Sequence, residues 1–344
     1  MVKPVLEPLT EYHSIDDDEL AARFMVARTV PVETTEGELE DLWKEHDEAM
    51  EEFRARWEER PAPGDLEETS PNLLDLKLEI ARKILRECTF CERRCRVDRA
   101  REDGFCRVPI KPRISSEFLH MGEERVLVPS HTVFFCGCTF RCVYCQNWDI
   151  AFQPTNGVYV EPGSLARVIR HRRFRGARNV NWVGGDPAPN IHYVLEVLRR
   201  LDVNVPQVWN SNMYLTEEAM RLLDGVIDLY LTDFKYGNDE CAERYSNAPN
   251  YWEIVTRNHR EADRQCDLIV RHLVLPGNVE CCTFPILEWI AEELGTDTPL
   301  NVMPQYRPEH RAYEYPEINR RPSADELEKA WEKARELGLR YYRL

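Results

Sequence analysis

The chain has 344 residues, 43% hydrophobic and 31% charged, a balance that describes a globular protein and excludes a disordered or membrane-embedded one. Its net charge of −16 argues against general binding to nucleic acid or an anionic membrane, both of which need a basic face to displace counterions. No run reaches the roughly 18 to 20 apolar residues of a membrane span, and residues 1–20 lack the apolar core of a secretory signal, so the expected location is cytoplasmic.

Residues 17–60 are rich in Glu, Ala, Leu and Arg, with Leu39, Leu42 and Trp43 at helical spacing, which predicts two helices split near 29–35. The Pro-Ala-Pro-Gly stretch within 61–71 reads as a linker. A further helix over 71–86 delivers the chain to Cys88. From about Thr132 short apolar segments alternate with amphipathic ones. Strands are predicted at 132–137, 179–183, 207–209, 227–232, 268–275 and 300–303, and helices at 162–171, 191–201, 216–223, 251–263 and 285–294. Such alternation implies parallel pairing and right-handed crossovers. Six units make an α/β fold of the partial (β/α)6 barrel type, with ligands at the C-terminal strand ends; a doubly wound open sheet is the rival. Ser323-Ala-Asp-Glu326 opens a last helix with a capping pattern. The expected organisation is an acidic helical extension (1–70), a Cys-rich metal-binding lobe and connector (71–130), the barrel (131–310), and a C-terminal helix and tail (311–344).

Twelve cysteines in a cytosolic chain point to metal rather than disulfides, and eight of them lie between Cys88 and Cys145. Cys138, Cys142 and Cys145 follow a predicted strand at Cys-x3-Cys-x2-Cys spacing. Three such thiolates can hold three corners of a four-iron cubane and leave the fourth iron open for an amine and a carboxylate. A zinc knuckle would need a fourth ligand, for which Cys136 is available, although its position suits a packed strand residue. Cys88, Cys91, Cys95 and Cys106 form a second set, suited to a closed zinc site or an auxiliary iron-sulfur cluster that folds a lobe without much core. Cys241, Cys266, Cys281 and Cys282 show no ligand spacing beyond an adjacent pair and read as packed core thiols.

Over roughly residues 88–308 the sequence resembles the radical S-adenosylmethionine (SAM) proteins related to pyruvate formate-lyase activating enzymes, particularly the PflX-type and AmmeMemoRadiSam-related members. That resemblance implies a radical SAM barrel in which Cys138, Cys142 and Cys145, with Tyr144 beside the last thiolate, hold a [4Fe-4S] cluster. Gly184-Gly185-Asp186-Pro187 is similar to the family's Gly-Gly-Glu-Pro segment, which holds the SAM amino group. Asn210 and Asn212, in Trp209-Asn-Ser-Asn, match the polar triplet facing methionine and ribose. Asp233-Phe-Lys235 resembles the pair whose lysine meets the SAM carboxylate, and Arg271 and Gln305 lie in segments similar to the last two strand ends. Tyr306 stands where the activating enzymes carry a histidine near the adenine. The segment from His120 to Glu124 is similar to one in the closer relatives and otherwise reads as a polar surface turn.

The resemblance implies an oxidoreductase. A ferredoxin or flavodoxin would reduce the cluster, SAM would be cleaved to a 5′-deoxyadenosyl radical, and hydrogen would be abstracted from a substrate. The target is a glycyl radical site on a partner protein, or else another peptide or a small molecule. The second cysteine set precedes the first here, whereas the familiar activating enzymes carry extra cysteines after it, which puts the glycyl-radical target in question. A noncatalytic iron-sulfur or zinc protein on the same barrel is the reading from another class.

Overall fold

The computed structural model describes residues 9–342; the first eight residues of the N-terminal extension and the last two of the tail lie outside the described residues. An eight-stranded sheet organises the chain. β1 (Ile114–His120) is antiparallel to β2 (Ser130–Phe135). Then β3 (Asn179–Gly184), β4 (Gln207–Ser211), β5 (Leu229–Asp233), β6 (Asp267–Leu273), β7 (Leu300–Met303) and the two-residue β8 (Tyr341–Tyr342) follow, each parallel to its predecessor.

Spatial order equals sequence order. A doubly wound sheet reverses direction at a switch point, whereas here every crossover steps the same way, which is barrel winding. The sheet stays open between β1 and β8, so the barrel is partial. The inner strands are buried on both faces, as parallel strands covered by helices must be.

Before the sheet come α1 (Thr10–Asp16), α2 (Arg23–Ala27), α3 (Leu39–Glu58) and α4 (Leu73–Ile84). The crossovers supply α5 (Trp148–Ala151), α6 (Pro162–Phe174), α7 (Ile191–Leu198), α8 (Glu217–Leu223), α9 (Asp239–Ser246), α10 (Tyr251–Gln265) and α11 (Phe284–Trp289), and α12 (Ala324–Glu336) follows the last long strand. α4 starts where Asn72 and Asp75 cap each other reciprocally, and Ser323 with Glu326 does the same for α12. α3 packs on α4, and α4 on α7, so the acidic helices share the main core with the barrel's outer layer.

α1 has a different task. Leu9 and Tyr12 join Val126, Leu127 and the strand residues Val208, Leu229, Leu231 and Ile269 in a separate apolar cluster. Burying Leu9 alone contributes about 2 kcal/mol. Polar ties fix the seal: the Tyr12 N–H donates to Asp267 at 2.8 Å, its hydroxyl accepts from Asn179 at 2.9 Å, and the Arg23 N–H donates to Asp228 at 2.8 Å. These acceptors and donors lie at the starts of β3, β5 and β6, so the N-terminal segment closes the end of the barrel opposite the strand C-termini.

The predicted parallel strands are found within a few residues. β1 was not expected, because an edge strand exposed at Ser115 and Ser116 lacks the alternating apolar signal. Nor was α9, a polar eight-residue helix held by the Asn238 cap and ended by Asn247 at φ 50°. The helix expected at 285–294 is α-helical only over Phe284–Trp289, with π-helical segments at Val279–Thr283 and Ile290–Leu294.

Candidate active site

β2 ends at Phe135, and the chain turns through Gly137 to carry Cys138, Cys142 and Cys145 to the wall of a cavity of about 440 Å³ at the strand C-termini. Two glycines allow the turn. Gly137 has φ +85°, and a Cβ there would stand 2.3 Å from Val108 and 2.7 Å from the Cys106 carbonyl oxygen. A Cβ on Gly185 would meet the Gly137 oxygen at 1.9 Å. The 138–145 loop is thus pressed between the end of β3 and the Cys-rich lobe.

The Phe140 N–H donates to the Cys138 sulfur at 3.3 Å, and the Ser246 hydroxyl donates to the Cys142 sulfur at 2.9 Å. Burial pushes the Cys138 and Cys142 thiols up and the Cys145 thiol to about 12, so a metal must displace their protons. Among the described residues, the group whose three ligand atoms all lie within 4.8 Å of one another is Cys241, Cys281 and Cys282. Cys138, Cys142 and Cys145 are not such a group, so at least one of their sulfur–sulfur separations exceeds 4.8 Å, against roughly 3.8 Å on one tetrahedral ion. The all-thiol donor set, carried on one loop at the cavity wall, fits three corners of a cluster.

The opposite wall is polar. Asp186, 2% exposed, accepts from the Thr139 hydroxyl at 2.6 Å and the Ser211 hydroxyl at 3.0 Å. Burial raises its carboxyl to about 6 against these hydrogen bonds. Asn212 donates to Thr139 at 2.9 Å, which extends the network. Beside it, Asp233 accepts from Lys235 at 2.8 Å and pairs with Arg271 at 3.3 Å; these two cations hold its carboxyl below the ordinary value despite burial. Arg271 also donates to Asn210 at 2.5 Å and to Glu123 at 3.0 Å. Glu123 pairs with His120 at 3.5 Å.

The cavity brings together Cys138, Cys142, Tyr144, Cys145, Gly184, Gly185, Asp186, Asn210, Asn212, Asp233, Lys235, Arg271 and Gln305, the residues that the resemblance assigns to the cluster and to SAM. Tyr144 turns its hydroxyl to Tyr236 at 2.7 Å. Tyr306 is fully buried and donates to the Ile318 carbonyl at 2.8 Å, so its hydroxyl is already used. Cys136 is buried in the packing. Sequence reasoning missed Thr139 and Ser246, hydroxyls that no motif marks. It also misplaced the 120–124 segment: His120 and Glu123 line the cavity, because the turn after β1 folds in toward Arg271.

Cys88, Cys91, Cys95 and Cys106 are also brought near one another. Burial and then the neighbouring Cys106, Cys88 and Cys95 push the Cys91 thiol up. Arg93 bridges this set to the first one: it donates to the Thr139 carbonyl at 2.9 Å and stacks on Phe105 at 3.9 Å, while Arg141 stands 4.2 Å from the same ring.

The family model for the Radical SAM superfamily matches residues 132–290. Protein MJ0674 of Methanocaldococcus jannaschii is 48% identical over 338 residues, which cover 96% of this chain and 98% of that protein. The chain belongs to the radical SAM superfamily. The radical SAM family implies a [4Fe-4S] cluster and SAM, and the thiol triad and polar wall fit both. Pyruvate formate-lyase 1-activating enzyme of Escherichia coli K12 is 25% identical over 150 residues, 42% of this chain and 60% of that enzyme's length. A solved domain of pyruvate-formate lyase-activating enzyme from Bacteroides vulgatus is similar at TM-score 0.39 and 16% identity, over 48% of this chain and 97% of that domain. Among the described residues, no helix is long and apolar enough to cross a membrane.

Proposed function

We propose that this chain is an activase-like radical SAM enzyme whose cluster is held by Cys138, Cys142 and Cys145. The single observation that carries the reading is one cavity with the Cys138, Cys142 and Cys145 thiols on one wall and Asp186, Asp233, Lys235 and Arg271 on the other. The bound cluster and SAM together supply the chemistry, a one-electron cleavage of the sulfonium to methionine and a 5′-deoxyadenosyl radical that abstracts hydrogen. The protein's residues bind and orient. Asp186, held by two hydroxyls, accepts from the ammonium of SAM; Lys235, poised on Asp233, offers its charge to the carboxylate; Asn210 and Asn212 offer amides to the remaining polar groups.

A protein carrying a glycyl-radical site is the proposed substrate, supported by the similarity to the activating enzyme, and a ferredoxin or flavodoxin the proposed donor. The cytosol is the proposed compartment for these partners. Anaerobic reconstitution followed by a deoxyadenosine assay with SAM and dithionite tests the cleavage. Product from the wild type and none from Cys142→Ala is expected; an intact cluster that yields no deoxyadenosine refutes it. A glycine radical signal on a co-encoded partner tests the target.

For the second set, an auxiliary iron-sulfur cluster is the reading favoured by sulfurs that are not gathered to single-ion spacing and by the Arg93 bridge to the 138–145 loop. It predicts roughly eight irons per chain rather than four.

A further inference from the structure

Cys241, Cys281 and Cys282, which the sequence suggests are packed core thiols, meet at the rim of the barrel mouth. Cys241 lies in the first turn of α9, after β5, while Cys281 and Cys282 lie in the π-helical segment after β6. Cys266, by contrast, precedes β6 at the other end of the barrel. The sulfur of Cys281 is 3.9 Å from that of Cys241 and 4.0 Å from that of Cys282, and all three lie within 4.8 Å of one another.

A fourth donor is in place. Asn278 is 4% exposed, and its amide N–H donates to the Pro276 carbonyl at 2.8 Å. Its Oδ1 is left facing the sulfurs of Cys241 and Cys281, at 3.6 and 3.7 Å. Apolar packing does not account for the group, because Cys281 is exposed and Cys241 half-buried.

We propose that Cys241, Cys281, Cys282 and the Asn278 carbonyl oxygen form a tetrahedral site for one thiophilic divalent cation of the zinc class. Metal–sulfur bonds of about 2.3 Å set sulfurs roughly 3.8 Å apart on such an ion, close to the spacing here and too tight for a cubane. Binding releases the thiol protons to solvent and leaves three thiolates on a doubly charged cation. The single excess negative charge faces the N-terminus of α9, and the Asn238 amide lies 3.8 Å from the Cys282 sulfur. Exposed Cys281 gives the cation its way in.

The cation would fasten α9 to the segment after β6. The far end of α9 carries Ser246, whose hydroxyl reaches Cys142, and the Tyr245 and Ser246 carbonyls, which accept from the Val143 and Arg141 N–H groups. The rim site thus braces the helix that supports the 138–145 loop.

The test is metal content of the full chain, prepared without oxygen and with its iron loaded, so it does not depend on SAM cleavage. The wild type should hold roughly one zinc per chain, and Cys281→Ala, a change at an exposed position, at least tenfold less with iron unchanged. Cobalt added to chelator-treated protein should give sulfur-to-cobalt charge-transfer and tetrahedral visible bands that Cys281→Ala and Cys241→Ala lack. Equal zinc in wild type and Cys281→Ala, or a Cys241–Cys281 disulfide in anaerobic wild type, overturns the proposal.

Discussion

Ser246 donates its hydroxyl to the Cys142 sulfur from the last turn of α9, at 2.9 Å. Hydrogen bonds to cluster sulfurs raise the reduction potential, because they stabilise the more negative reduced state. Ser246→Ala should therefore lower the potential of the proposed cluster. A net hydrogen bond of about 1 kcal/mol corresponds to roughly 40 mV for one electron. Redox titration followed by electron paramagnetic resonance checks this, and an unchanged potential would remove the role given to Ser246.

Gly185→Ala places a carbon where the Gly137 carbonyl oxygen already stands, at 1.9 Å. Backbone cannot swing aside as a flexible side chain can, so the 138–145 loop must shift. The expected cost is on the order of 1–3 kcal/mol, seen as a lower Tm together with reduced iron content. A variant with wild-type Tm and iron would show that the loop is not held by this contact.

The Asp186 carboxyl, raised to about 6 by burial, should impose a pH dependence on SAM binding. Below that value it takes a proton and accepts less well from an ammonium. The dissociation constant should then rise roughly tenfold per pH unit below about 6 and stay level above it, while Asp186→Asn should bind weakly and without this dependence. Because the folded value lies above the ordinary 3.8, the same group lowers fold stability as pH rises from about 4 to about 6, after which the loss is constant. Calorimetric binding from pH 5 to 8 is the measurement.

Lys77 is fully buried between α3 and α8, 2.7 Å from His46 Nε2 and donating to the Arg221 carbonyl at 2.9 Å. Burial lowers its ammonium to about 7 from 10.5. The unfolded chain binds the proton more tightly, so stability rises as pH increases from about 7 to 10.5 and the penalty is fully present below 7. The difference between wild-type and Lys77→Met unfolding free energies should change by a few kcal/mol across that window. Parallel curves would show that Lys77 does not titrate in the fold.

The barrel was legible because parallel strands are buried on both faces and read as apolar runs, and because motif residues collect at strand ends whatever the exact boundaries. Local spacing exposed Cys138, Cys142 and Cys145 for the same reason: all three sit on one loop. Cys241 and Cys281 are forty residues apart in sequence and meet only when β5 and β6 pair, a contact that no short window contains. Thr139 and Ser246 were hidden differently. A hydroxyl that serves a neighbouring side chain carries no periodicity and no charge.

With Leu9 and Tyr12 wedged under the strands, the reaction chamber is a blind well and not a passage. Whatever enters by the upper opening must leave by it, so a bulky target seated there would cork the vessel until the products had somewhere to go. For the proposed protein target, order of arrival and departure would then follow from the shape: small cofactor first, large target last, and release in reverse.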